Sequence, residues 1–536
     1  MRSAGAWPVG VGMVLGSIVI LFQAPIRQEG RFFGWVLDDD AMISMTYARN
    51  LAKGCGLVWQ CGGDKVEGYT NLGWVLYMAF WHWLGIPERW AALPIVLTGL
   101  IVLGVHVQGI YRLGRETGGE KVGVWAAWTS AVFPPFLFHH VSGLEAGFLA
   151  MLLTYYLYWA LRGEQRWWIY AGVAAVGVLV RMDFLLGVIA VAIVQLWVHR
   201  RAWRRALPFV IAVGAALLVA IGLTVWRKAY YGLWTPNTYT LKVTSIPFSW
   251  RVYNGIFALL PALYVEVVFF SFALLGIFLL RKRNAIVLLL LAPMVYVLYN
   301  VYVGGDIFDR VQDRNRFLLY LFCGMFVLSA YALEKLFSRR VMKIVFVALV
   351  SHGFYGFGAK SVFLKRWERL FMPQHFWPNN NLPVLENIFP DGSTLMVSAA
   401  GILPYFYGER YKWKDYLGKT DTFVTKRLRP AICHAYRREY AYLYLPGHTH
   451  YNFVDIWRVD GVIALFGFSQ DICAPSRKAI PLKVPPLLPV PALLRGCPLA
   501  LPAYYPFPSP ALRDSFCRNF ELVDTAAFIW KRKTRD

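Results

Sequence analysis

The sequence predicts a polytopic α-helical membrane protein with a C-terminal α/β domain outside the membrane, and three observations carry that reading. The 536 residues are 57% hydrophobic and only 16% charged, and mean hydropathy is positive. That mixture excludes a soluble globular domain and a disordered chain. Apolar runs of membrane length recur through residues 1–358. From residue 359 to 536 the chain becomes rich in Pro and Tyr, with strand-like runs at Thr394–Ser398 and Gly461–Phe466 and no further convincing span.

The first apolar run, Pro8–Ala24, has no convincing small-residue cleavage site, so it reads as a retained helix rather than a signal peptide. Further runs lie near Ala91–Tyr111, Val122–Phe138, Leu144–Ala160, Trp167–Val180, Phe184–Val198, Leu207–Trp226, Ile256–Leu280, Ala285–Val303, Phe317–Leu333 and Val341–Phe357. Together they predict about eleven transmembrane helices. Leu72–Gly85 is apolar too, but short and rich in Trp and Tyr. Its status sets the parity of everything downstream.

Charge settles that parity. The net charge is +24, and it sits in short patches between apolar runs, as topology signals and lipid-phosphate contacts do. No basic stripe with a reading helix appears, so nucleic acid is not a predicted partner. If Leu72–Gly85 lies along the membrane surface, the patches Arg112/Arg115/Lys121, Arg162/Arg166, Arg200/Arg201/Arg204/Arg205, Arg281/Lys282/Arg283 and Lys335/Arg339/Arg340/Lys343 all face the cytoplasm. If it spans, all of them face outward and the positive-inside rule fails throughout. The surface reading wins.

The opposite face then collects the polar motifs. It holds the first loop, residues 27–90, with Asp38–Asp40 and Val66-Glu67-Gly68-Tyr69-Thr70-Asn71. It also holds His139-His140-Val-Ser142-Gly-Leu-Glu145, Arg181-Met182-Asp183, Pro236-Asn237-Thr238 with Lys242, the stretch from Gly304-Gly305-Asp306 to Arg316, and the tail. Six of the seven cysteines face the same way, which suits disulfides in an oxidising compartment. Cys55–Cys61 is a plausible local bridge. Zinc is a competing reading without Cys-x-x-Cys spacing to support it, and no metal site is predicted.

Carboxylates and cations together at a membrane edge suit a lipid-linked phosphate substrate. A carboxylate can take the proton of an incoming hydroxyl, and Lys or Arg neutralises a phosphate leaving group. Asp39 and Asp40 are the candidate bases. Lys242, Arg181, Arg310, Arg314 and Arg316 are the candidate phosphate ligands. Plainer roles stand beside these. Asp38–Asp40 can cap the helix that begins near Ala41, Glu145 can serve as a helix-dipole partner, and Lys242 can meet lipid headgroups.

At these residues the chain resembles the GT-C glycosyltransferases, and within them the arabinofuranosyltransferase branch that includes the mycobacterial terminal β-(1→2) arabinofuranosyltransferase. The specific part is Asp39-Asp40-Ala-Met-Ile, Tyr47-Ala48-Arg49-Asn50 and Val66-Glu67-Gly68-Tyr69-Thr70-Asn71. The similarity continues through Ser142–Glu145, Pro236-Asn237-Thr238, Gly304-Gly305-Asp306, Arg316-Phe317, Ser398–Tyr405 and Asp415–Asp421. Where the branch is expected to carry Arg-Pro-acid, this chain has Arg181-Met182-Asp183.

The resemblance implies an inverting transfer from a polyprenyl-phosphate sugar, with arabinofuranose as the sugar, to a glycan or glycoprotein acceptor in the cell envelope. It aligns Asp39 with the first acid of the superfamily's acidic pair, and so with the base. No cofactor is implied beyond the donor lipid. The substrate-binding candidates are Glu67, Tyr69, Asn71, His140, Glu145, Arg181, Asn237, Lys242, Asp306, Arg310, Arg314 and Arg316. A hexose or aminoarabinose donor keeps the same fold, and a lipid-sugar transporter is the reading from another class.

Overall fold

The computed structural model describes residues 5–28, 31–244, 248–265, 267–305, 315–337, 385–397, 400–415, 418–420, 461–463, 480–481, 500–501, 510–524 and 529–533. Asp306, Arg310, Arg314, Cys433, Cys473, Cys497 and the predicted span Val341–Phe357 lie outside the described residues.

Within them the apolar runs are helices. Four are long and apolar enough to cross a membrane: Glu88–Gly118, Trp203–Tyr231, Asn284–Val303 and Leu319–Leu336. A bent pair, Pro134–Val141 with Ala146–Leu161, makes a fifth if taken as one span. Ala6–Phe22, Trp167–Val180, Phe184–Val198 and Phe269–Leu279 are shorter apolar helices. Leu319–Leu336 forms the centre of the bundle, buried almost all round from Leu319 to Leu333, as a helix without a polar face must be. Phe322 and Phe326 pack edge-on against Phe133.

Three predicted spans differ from the observed helices. Val122–Phe138 is not one rod. A helix over Glu120–Ala131 ends, Phe133 is extended, and a new helix starts at Pro134. Proline explains the break, because it lacks an N–H and forces the residue before it out of the helical region. The second predicted start, Leu144, falls in the Ser142–Glu145 break, where the chain turns by 112° before Ala146–Leu161. The Ile256–Leu280 run is divided between Phe248–Val265 and Val267–Leu279.

Leu72–Trp83 is a helix of 12 residues, about 18 Å at 1.5 Å per residue and well short of a bilayer's hydrocarbon core. It buries Trp74, Val75, Met78 and Ala79 and exposes Leu76, Phe80 and Trp83. One face therefore packs on the protein while the other stays apolar and open.

In the tail, five strands form one mixed sheet in the order Lys412–Asp415, Thr394–Val397, Gly461–Ile463, Ile529–Arg532, Phe520–Asp524. The first three are parallel, with Thr394 opposite Lys412 and Leu395 opposite Gly461. The last two join antiparallel. The short helix Ile402–Tyr407 links two of the parallel strands and carries the tail onto the first loop. There the Cys55–Cys61 disulfide closes a tight turn. Gln60, inside that turn, caps the edge strand by donating to the Tyr411 carbonyl and accepting from the Trp413 N–H. Cys323 is a buried free thiol.

Candidate functional site

The site is built outward from the helix Asp39–Ala52. Asp38 stands at its N-cap, and its carboxylate accepts from the Asp40 N–H at 3.2 Å. The capping role open to the acidic cluster therefore belongs to Asp38. Further along the helix, Tyr47 donates to the Val66 carbonyl and accepts from the Gly68 N–H. Arg49 reaches the Tyr405 carbonyl of the tail, and Asn50 donates to the carbonyls of Val58 and Trp59. These buried residues tie the helix to the loop and the tail.

Asp39 and Asp40 diverge. Successive residues sit about 100° apart around a helix, so two adjacent carboxylates serve two neighbourhoods. Asp39 turns to the tail, where its Oδ1 accepts from the N–H groups of Gly401 and Ile402 at 3.2 and 3.0 Å. A Cβ on Gly401 would stand 2.0 Å from the Asp39 carbonyl oxygen, so only glycine permits this approach. Burial is the main reason the Asp39 carboxyl is pushed up to about 7; the Ile402 amide pulls it down, and Asp40 and Asp38 push it further up. Asp40 turns into a cleft, where Lys419 of the tail meets its Oδ1 at 2.8 Å.

That cleft has a cavity volume of about 120 Å³. Its walls are Asp40, Ile43 and Ser44 from the helix, Gly68–Asn71 from the first loop, Leu144 and Glu145 from the bend, and Arg181. Thr238, Tyr239, Lys242, Val243, Tyr299, Val303, Arg316, Phe317 and Lys419 complete it. On the bundle side the charges are braced. Glu145 bonds Arg181 and Asn71 at 2.7 Å each. Arg181 also bonds Asp183 at 2.8 Å and lies over the Phe317 ring. Asn71 in turn accepts from Ser44. Lys242 projects from a π-helical turn, Thr240–Thr244, an irregularity of the kind found at functional sites.

Of the predicted site residues, the cleft brings together Asp40, Tyr69, Asn71, Glu145, Arg181, Lys242 and Arg316. It does not take in Asp39, Glu67, His140 or Asn237, and each is engaged elsewhere. Glu67 forms a buried ion pair with Arg227, and burial still holds its carboxyl above the usual range. His140 is locked inside the bundle between the Phe136 carbonyl and His106, whose other ring nitrogen meets Thr154. The Asn237 amide donates to the Gly418 and Lys419 carbonyls at 2.8 and 2.9 Å. It thereby holds the tail turn that presents Lys419.

Sequence reasoning missed Lys419, Ser44, Thr238, Tyr239 and Tyr299 as cleft residues, and Arg227 as the partner of Glu67. The cationic residue inside Gly418-Lys419-Thr420 was the available signal for the first of these. Among the described residues no group of three His, Cys, Asp or Glu side chains is placed to hold a metal ion.

Residues 84–226 match the family described as dolichyl-phosphate-mannose-protein mannosyltransferase. No curated protein matches the chain. Among solved structures it is similar to the oligosaccharyltransferase AglB from Archaeoglobus fulgidus, solved with an inhibitory peptide and a dolichol-phosphate. The TM-score is 0.50 at 12% identity, over 85% of this chain and 69% of that one. It is also similar to ArnT from Cupriavidus metallidurans bound to undecaprenyl phosphate, with TM-score 0.49 and 13% identity over 81% of this chain and 91% of that one. A third similarity is to the arabinofuranosyltransferase AftD from Mycobacteria, with TM-score 0.46 and 12% identity over 86% of this chain and 35% of that one. At 12% identity the likeness to AglB speaks for the fold alone.

Proposed function

We propose that this chain, a multi-pass membrane glycosyltransferase of the GT-C superfamily that uses a polyprenyl-phosphate sugar donor, transfers arabinofuranose to a cell-envelope glycan or glycoprotein. The transfer takes place at the outer membrane face and inverts the anomeric centre. The observation that carries the proposal is the cleft itself, where the Asp40 carboxylate stands on one wall and Arg181, Lys242 and Arg316 stand on the others.

The chemistry follows from that placement. The sugar phosphate lies against the cations with its anomeric carbon toward Asp40. An acceptor hydroxyl attacks that carbon while Asp40 takes its proton. The new C–O bond forms as the bond to the phosphate oxygen breaks. The departing electron pair stays on the phosphate, where Lys242 and Arg316 meet its growing charge. Glu145 and Asp183 hold the Arg181 guanidinium in fixed orientation, so no reorganisation is needed as charge develops. Asp39 has the pKa of a useful base, but its carboxylate accepts from the tail amides and does not line the cleft. Position favours Asp40 as the base. The tail, on this reading, lies on the extracytoplasmic side.

The arabinofuranose assignment rests on the first-loop resemblance. The mannosyltransferase match over residues 84–226 favours a second reading, in which the donor sugar is a hexose. Purified protein in proteoliposomes, offered synthetic polyprenyl-phosphate arabinofuranose and polyprenyl-phosphate mannose with an octyl glycoside acceptor, separates the two by mass spectrometry of the product. An arabinosylated product is expected. Transfer of mannose with none of arabinose would overturn the donor assignment.

A further inference from the structure

The tail contributes a side chain to the cleft, and several independent contacts fix where that side chain goes. Gly418 takes a positive φ of 72°, and its N–H donates to the Asp415 carbonyl. The Asp415 carboxylate accepts from both the N–H and the hydroxyl of Thr420, at 2.9 and 3.1 Å. Asn237 grips the carbonyls of Gly418 and Lys419, and its own N–H is anchored on the Glu67 carbonyl at 3.1 Å. Gly68 leaves the room: a Cβ there would meet the Thr420 methyl at 2.7 Å and the Lys419 carbonyl at 3.1 Å. Three separated stretches thus converge on one turn, and the outcome is one ammonium placed 2.8 Å from one carboxylate. The exposures are low, 15% for the Lys419 side chain and 18% for Asp40, so water screens the pair poorly.

We infer that Lys419 is a positioning residue of the transfer reaction: the tail lends its ammonium to keep Asp40 ionised and aimed into the cleft, so that a docked tail becomes a condition of turnover. The inference rests on Asp40 being the base. Other charges surround Asp40. Asp38 and Asp39 stand beside it at the helix start, Glu145 stands on the opposite wall, and Arg181, Lys242 and Arg316 face it across the cleft; like charges disfavour an ionised carboxyl and opposite charges favour it. Lys419 meets Asp40 directly, at 2.8 Å. It is also the cation that arrives from the tail.

The test is the ionisation of Asp40 in the full-length protein, read by infrared difference titration against Asp40→Asn, with the pH–rate profile measured in parallel. Lys419→Met keeps the stem and removes the charge. The Asp40 midpoint, and with it the acidic limb of kcat/KM, should rise by about one pH unit or more, the usual effect of losing an adjacent opposite charge. Turnover on the acidic limb should fall and then largely recover at higher pH, which loss of folding would not allow. Lys419→Arg retains the charge and should leave the midpoint near its original position; this variant also serves if Lys419→Met does not fold. An unmoved midpoint in Lys419→Met, or a midpoint raised equally by Met and Arg, overturns the inference. The reading of Asp40 as base fails separately, if Asp40→Asn turns over at the original rate with arabinofuranosyl donor and octyl glycoside acceptor.

Discussion

The two walls of the cleft are held in place by different means. On the bundle side, the charged groups are braced by partners within the membrane helices and their outer connections: Glu145 by Arg181 and Asn71, Arg181 by Asp183, Glu67 by Arg227. On the tail side, most contacts are to main-chain groups, with two ion pairs, Lys53 with Glu409 and Lys419 with Asp40. Asp39 receives two amide N–H groups, Arg49 reaches the Tyr405 carbonyl, Asn237 grips two carbonyls, and Lys419 meets Asp40. A wall of cross-braced ion pairs is rigid before any substrate arrives. A wall docked by hydrogen bonds, two ion pairs and the apolar face of Ile402–Tyr407 can still open at lower free energy than global unfolding. In the proposed reaction the phosphate side is therefore preformed, and the proton-accepting side depends on the tail being seated.

Asp40→Asn strikes where the walls meet, and it should have the largest effect. Asn keeps the shape and cannot take the proton, so turnover should drop by roughly 10²–10⁴, the ordinary contribution of a positioned general base. Donor affinity should stay nearly unchanged, because the phosphate lies against the other wall. Near-normal turnover would remove the role given to Asp40. On the bundle side, Glu67→Ala strands Arg227, which is 5% exposed. Breaking a buried pair in this way costs about 3–5 kcal/mol, and the thermal unfolding midpoint in detergent should fall accordingly. On the tail side, Gly401→Ala places a methyl against the Asp39 carbonyl. The global midpoint should move little, while protease cleavage within the tail should accelerate. A tail as resistant as the original would show that the docking is not the weaker wall.

Much of this was legible in the sequence. Hydropathy found the four helices long and apolar enough to cross a membrane among the described residues. Seven of the candidate residues, from Asp40 to Arg316, do line one cleft. The missing part has a common physical cause. Whether Asp39 or Asp40 faces the cleft depends on Gly401 and Ile402, which lie more than 360 positions away. Glu67 is claimed by Arg227, 160 residues on, and His140 by His106 in a neighbouring helix. Sequence reading finds an ionisable group beside a membrane end readily. Which partner captures it is decided by packing between distant segments, which no local pattern encodes. The break before Pro134 was different, since the Pro134-Pro135 pair was there to be read.

Asp39 offers the finest test of the docked wall, through pH. Its carboxyl titrates near 7 in the folded protein, chiefly because it is buried, and near 3.9 in an unfolded chain. Between those values the folded state binds more protons than the unfolded one, so stability falls as pH rises from about 4 to about 7 and then levels off. Asp39→Asn keeps a side-chain carbonyl to accept from Gly401 and Ile402 but has nothing to titrate. The unfolding midpoint of the variant should therefore gain on that of the original protein as pH climbs from 5 to 8, by a few degrees at most, because part of the group remains in contact with solvent. Turnover should change little, in contrast to Asp40→Asn. A midpoint difference that stays constant across this range would mean that Asp39 keeps an ordinary carboxyl, and that the amides of Gly401 and Ile402 compensate fully for its burial.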